Sequence, residues 1–205
     1  MSAGRRHLMA LGAGAPLLLG GCARLLLGGK APLPSEYRLT PAVALPAKLP
    51  KAAWILIVAE PTAEGAIESV RIAVLAAGRI ERLADVVWSD RPTAMLQFAI
   101  IQTFQDSGSL RAVGTDRDDL PGRYLLQSTL TSFQLEPEGD GYAAVVRLHA
   151  RLLRLPGREV TGARDFVRRV AATAPSNDAA VAAFDAAVSG VLADLVPWTL
   201  QTGRG

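Results

Sequence analysis

Cysteine is almost missing from this chain: Cys22 stands alone among 205 residues. No intramolecular disulfide can form, and a zinc site built on two or more thiolates is excluded. Histidine is nearly as scarce. His7 falls at the very start and leaves His149 alone in the rest. A metal site would therefore rest on carboxylates, and no convergent spacing for one occurs. Charged residues make up only 20% of the chain. The net charge is +3, and Arg5 and Arg6 supply two of those charges, leaving +1 for the remainder. Such a balance does not announce a nucleic-acid binder.

The common catalytic signatures are missing too. No GxSxG occurs, and DSGSL (106–110) has the wrong order for a nucleophile elbow. A phosphate-binding GxxxxGK[ST] fails because Ala31 follows Gly29-Lys30. No GxGxxG follows a strand, and HExxH cannot be assembled from these histidines. Asp118-Asp119 sits among Thr115, Arg117 and Gly122, where a solvated turn outweighs an acid–base pair. No cofactor is expected, and the weight of these absences lies against an enzyme.

What the chain has is apolar residues, 50% of the total, enough for a sizeable packed core. Its first 22 residues, MSAGRRHLMALGAGAPLLLGGC, divide into a positive start at Arg5-Arg6, a mildly apolar stretch from His7 to Leu19, and Gly20-Gly21 before Cys22. The apolar stretch is shorter than the roughly 20 residues that span a bilayer. Leu19-Gly20-Gly21-Cys22 resembles a bacterial lipobox, in which the cysteine is acylated and becomes the mature N-terminus. Small residues suit a peptidase that binds extended backbone at the membrane surface, and two or three acyl chains anchor stably where one does not. The other reading is a buried cysteine in an apolar strand. Arg5-Arg6 before His7-Leu8-Met9 also resembles a twin-arginine signal, with the general export route as the alternative. Ala23 is not the aspartate of an inner-membrane retention signal, which favours the outer membrane, with the periplasmic face of the inner membrane as the alternative.

Residues 1–21 thus read as a signal peptide and 22–36 as a Pro/Gly-rich lipidated tether. Residues 37–200 read as one domain and 201–205 as a frayed tail. EYRLTP (36–41) suits a short edge strand and WILIV (54–58) a buried central one. SVRIAVL (69–75) and RIERLA (79–84) flank Ala76-Ala77-Gly78 as a hairpin, and DVVW (85–88) makes another short strand. Ser89-Asp90 can cap a helix in which Leu96, Ile100 and Phe104 recur every four residues until Ser107-Gly108. Tyr124–Leu135, Ala143–Leu153 and Glu159–Val170 are three long strands. A helix from Asn177 follows, with Val181, Phe184, Val188, Leu192 and Leu195 on one face and Pro197 at its end. The order predicts an α+β fold: a mostly antiparallel sheet with two main helices packed on one face.

One constellation stands out. If LPGR (155–158) closes a two-residue hairpin, Arg151 faces Gly162, His149 faces Arg164, Arg147 faces Phe166 and Val145 faces Arg168. One sheet face then gathers Arg147, His149, Arg151, Arg164 and Arg168, and the other is mostly apolar. Facing like charges disfavour a sheet. The cluster therefore suggests an anionic partner, an acidic protein surface or lipid phosphates. The alternative is a solvated face on which arginine stems cover their neighbours. A one-residue slip would redistribute these side chains.

RIAVLAAGRIERLADVVWSDRPTAMLQFAIIQTFQDSG (71–108) is similar to the auxiliary lipoprotein family of ABC-type transport systems. YRLTP, Glu60-Pro61 after an apolar strand, Tyr124-Leu125-Leu126 and the closing AVAAFDAAVSGVLADLVPW match as well. Together these pieces cover about Tyr37 to Trp198. The resemblance implies a non-enzymatic, periplasm-facing lipoprotein whose partners are an ABC permease and an MCE-type substrate-binding protein, in systems that move lipids or other hydrophobic compounds. It implies no catalytic residues. Trp88, Asp90 and Pro92 carry its most visible motif, read as ring packing and helix capping. A lipid carrier, an envelope-assembly lipoprotein and a secreted hydrolase are the competing functions.

Overall fold

The computed structural model describes residues 33–204; the leader, Cys22 and the first part of the tether lie outside them. The elements run β1 (Ser35–Tyr37), β2 (Ala52–Val58), β3 (Thr62–Ala63), β4 (Arg71–Ala76), β5 (Arg79–Trp88), α1 (Pro92–Ser107), β6 (Leu110–Thr115), β7 (Tyr124–Glu138), β8 (Gly141–Arg154), β9 (Glu159–Ala171) and α2 (Asn177–Thr202). The three long ladders, β4–β5, β7–β8 and β8–β9, are antiparallel. Shorter parallel pairings join β1 to β5, β2 to β6 and β7, and β3 and β4 to β7. This is the expected α+β domain with a mixed, mostly antiparallel sheet.

Period-two alternation builds the buried sheet face: Val146, Leu148, Ala150 and Leu152 of β8 are all 0% exposed. Both helices bury their apolar stripes in the same core, Leu96, Ile100 and Phe104 from α1 and Phe184, Val188, Leu192 and Leu195 from α2. α2 is also long and apolar enough to cross a membrane by composition, but twelve of its residues are buried inside the domain, as in a core helix. At the β4–β5 hairpin Ala77 (φ +48°) and Gly78 (φ +74°) both take left-handed backbone, the turn geometry that matches strand twist. Gly108 (φ +54°) ends α1 in the same conformation.

Several expectations need correcting. Asp90 does not cap α1; the cap position is Arg91, without a side-chain cap bond, and Pro92 opens the first turn. The Asp90 carboxylate instead accepts from the backbone N–H of Arg91 at 2.6 Å. The helix start is held by charge. Arg91 donates to Glu68 (2.8 Å) and Glu60 (2.7 Å), and the Thr93 hydroxyl donates to Glu60 at 3.3 Å. The hydrogen bond to Glu68, ahead of the charges of both carboxylates, raises the Arg91 pKa. Two carboxylates at a helix N-terminus also complement its dipole.

Pro197 does not end α2, which continues to Thr202. The proline removes one backbone N–H, at about 3 kcal/mol in a helix interior. Packing outweighs that: Trp198 meets Phe166 edge-on at 5.6 Å, Leu200 is 0% exposed, and the Thr199 hydroxyl donates to the Leu195 carbonyl at 2.8 Å. α2 starts at Asn177 as expected, and the Ser176 hydroxyl caps it by accepting from the Ala179 N–H. DVVW belongs to the single long β5, and β3 and β6 add strands that local pattern did not reveal.

Candidate functional site: the open sheet face

The helices cover one face of the sheet; on the other, a small apolar cluster of Ile57, Leu125 and Leu153 covers the end near the β8–β9 turn, and the middle of β8, at Arg147 and Arg151, is left exposed. The predicted hairpin register holds only beside the turn, where Arg154 faces Glu159 and Leu153 faces Val160. Beyond it a bulge inserts one residue in β9, so Leu152 faces Gly162 and every later pair is displaced by one. His149 therefore faces Asp165 instead of Arg164, and Arg147 faces Val167 instead of Phe166.

The slip divides the five expected cationic residues. Arg147, His149 and Arg151 share the open face with Ala163, Asp165 and Val167 of β9. Arg164 and Arg168 pass to the helix side, alternating with Phe166, which is 2% exposed. There Arg164 lies over the Phe166 ring at 5.2 Å. Arg168 pairs with Asp194 of α2 at 2.5 Å and leans on Gly190, where an added Cβ would lie 2.7 Å from its Nε. Beside the bulge, an added Cβ at Gly162 would meet the Thr202 methyl at 2.8 Å, so this glycine lets α2 approach the strand. Gly162 was the one signal that could have warned of the slip.

These positions make separate predictions. Arg168→Glu sets a carboxylate against Asp194 and should lower stability by about 1 kcal/mol, allowing for a half-exposed pair. Arg147→Glu should leave the thermal midpoint unchanged. Thermal melts of the two variants check the register directly, since equal effects would contradict it.

On the open face Arg147 and Arg151 are four residues apart on one strand, about 13 Å. Both are exposed, and among the described residues neither forms an ion pair. Between them the His149 Nδ1 meets Asp165 Oδ1 at 2.7 Å. Across on β7 stand Gln127, Thr129 and Ser132, each opposite one of the three. The Thr129 hydroxyl is hydrogen-bonded to that of Thr62 at 3.1 Å. At the far end Arg169 joins Glu136 and Glu138, and its hydrogen bonds to them, Glu136 first, raise its pKa.

Next to Ser132 lies a notch of about 240 Å³, walled by Ala66, Ile67, Ala73, Leu75 and Ile80, by Thr131, Ser132 and Gln134, and by the carboxylate-bearing Glu64. Ile80 is 52% exposed. Two free guanidiniums, neutral hydrogen-bonding side chains and a partly apolar notch form a flat face suited to docking an anionic surface. Hydrolysis would need more. His149 and Asp165 make a base with its orienting group, but no hydroxyl is hydrogen-bonded to the ring's second nitrogen among the described residues. Nor do those residues hold a cluster of three or more metal-ligating side chains.

Of the visible motif positions, Trp88 and Pro92 are buried and Asp90 is exposed. Trp88 is 2% exposed and packs against Phe184 (5.2 Å, edge-on) and Phe133 (5.7 Å), which stack on each other at 4.6 Å. Pro92 is buried at the first turn of α1.

Residues 37–196 match the model of the family described as ABC-type transport auxiliary lipoprotein component. The crystal structure of XCC0632 from Xanthomonas campestris is similar, with 30% identity and a TM-score of 0.78 over 83% of this chain and 97% of that one. A second solved structure, of an uncharacterised protein, shares the fold at 13% identity and a TM-score of 0.64, covering 80% of this chain and 97% of that one. The uncharacterised protein bll6063 of Bradyrhizobium diazoefficiens is 27% identical over 150 residues, 71% of this chain. The match spans only 39% of that protein's length.

Proposed function

The chain belongs to the ABC-type transport auxiliary lipoprotein component family, and from that premise we propose that it serves an ABC/MCE-type system moving lipids or other hydrophobic compounds across the envelope. It acts as a non-enzymatic, periplasm-facing lipoprotein, acylated at Cys22 and held in the outer membrane, that docks a permease and an MCE-type substrate-binding protein. ATP hydrolysis belongs to another subunit. The observation that carries this reading is the family match over 37–196, which fills nearly the whole described domain and follows the Leu19-Gly20-Gly21-Cys22 motif. Lipid carriage between helices and sheet is less well supported, because Phe104, Phe133, Phe166 and Phe184 fill that layer.

The open face with Arg147 and Arg151 is the docking surface in this proposal, with His149 held between them by Asp165. Charges facing an acidic partner act mainly on encounter rate and specificity. Full-length protein extracted from membranes should co-purify with the permease and the MCE-type protein. Arg147→Glu combined with Arg151→Glu should reduce that recovery several-fold, more so at low salt, without changing the melt. Undiminished recovery would exclude this face. Failure of the unaltered chain to bring down either partner would overturn the function.

A further inference from the structure

We propose that the outer side of α1 around Phe98, together with the strap of residues 38–45, rests on the phospholipid surface to which the chain is anchored. The inference rests on the acylation of Cys22.

Phe98 is 68% exposed, the one aromatic among the large apolar side chains left open in the described residues. It projects from α1 away from Leu96, Ile100 and Phe104, which are buried. It also forms a ridge between two shallow grooves of about 280 and 320 Å³. Both grooves share Arg38, Leu39 and Phe98. Pro41, Val43 and Leu45 of the strap wall the first, while Ala94 and Met95 of α1 wall the second. An exposed aromatic on an apolar ridge suits the headgroup–acyl boundary. Arg38, exposed and without an ion pair among the described residues, supplies a cation at the level of lipid phosphates. The acidic groups at the groove ends are Asp90 and Asp106, and Asp106 accepts from the Gln102 amide at 2.9 Å.

Chain length makes a bilayer the favoured occupant. Ten residues, 23–32, separate the lipidated cysteine from the first described residue, and the eleven steps between Cys22 and Leu33 reach at most about 40 Å. The chain then passes through β1 directly into the strap that lines the grooves. β1 and the strap are tied to α2: the Tyr37 hydroxyl donates to Asp178 at 2.5 Å and the Thr40 N–H to Asp185 at 2.7 Å. A weak contact suffices when the anchor keeps the surface at high effective concentration. The geometry has a consequence for docking. Phe98 lies on the helix side of the sheet and Arg147 and Arg151 on the other, so a domain resting on Phe98 turns its cationic face toward the periplasm.

The test uses the full lipidated chain in vesicles of phosphatidylethanolamine and phosphatidylglycerol. An acylated Cys22 has no free thiol, so Phe98→Cys and Thr131→Cys each take a single environment-sensitive dye. Spin-labelled lipids should quench the dye at 98 several-fold more than the dye at 131, and Arg38→Glu should weaken that quenching. Thermal melts of the labelled variants verify that they fold. Equal lipid quenching at both sites, with the chain floating on the vesicles, overturns this inference alone. So does a dye at 98 shielded from iodide but not quenched by lipid, which would mean that protein covers the groove. A chain that does not float overturns the Cys22 anchor, and this inference with it.

Discussion

Trp88→Ala is expected to destabilise the domain by about 3–5 kcal/mol, the range for truncating a large buried aromatic. Total stability for a domain of this kind is roughly 5–15 kcal/mol, so the variant should be largely unfolded or melt far below the parent. The effect is large because Trp88 joins three elements. Its ring packs against both members of the stacked pair Phe133 of β7 and Phe184 of α2, while its backbone N–H donates to the Val70 carbonyl at 2.7 Å. Ser89, the next residue, donates to Tyr37 of β1. Losing the ring therefore opens a cavity where sheet and helix meet, and neither side can collapse without the other. Trp88→Phe keeps an aromatic in the stack and should be milder. Urea denaturation followed by circular dichroism measures both, and a Trp88→Ala midpoint near that of the parent would refute the packing role.

The second large effect concerns location. Cys22→Ser should abolish acyl labelling, leave the leader uncleaved, and move the chain from a carbonate-resistant membrane fraction to a loosely bound or soluble one. A single acyl chain gives marginal membrane affinity and two or three give a stable anchor, so losing every chain is close to all-or-none. The remaining leader does not replace them: Gly12, Gly14 and Pro16 interrupt a stretch too short to span. The measurement is fractionation in cells lacking the partner proteins, with density separation of the two membranes. A Cys22→Ser chain that still fractionates with the outer membrane there would overturn the anchor. The contact of Phe98 with lipid is expected to orient an anchored domain, not to hold it.

Much of the fold was legible because its signals are local. Alternation in β7 and β8, the four-residue recurrence of Leu96, Ile100 and Phe104, and the left-handed turn at Ala77-Gly78 depend on neighbours close in the chain. β6 carried little such pattern. It is a strand because β2 lies parallel beside it, pairing Leu56 with Val113 and Ile57 with Gly114. The candidate site was half legible. β8 placed Arg147, His149 and Arg151 together correctly, since its alternation runs unbroken. β9 did not, because one extra residue near Gly162 reverses every side chain after it.

The chain by itself determined its class, its two helices, its long antiparallel strands, the family motif around Trp88, and the exclusion of a metal site built on two or more thiolates. Each of these follows from composition or from periods short enough to read along a few turns. Tertiary structure alone decided the rest. Arg168 went to Asp194 rather than to the open face, and His149 went to Asp165. Arg91 with Glu60 and Glu68 took over where Asp90 had been expected to cap, and α2 ran through Pro197 to reach Phe166 and Trp54. At Pro197 a local cost of about 3 kcal/mol met burial on the shared core, the larger free energy; the ion pairs were decided by strand register and by which residues far apart in the chain the fold brings together.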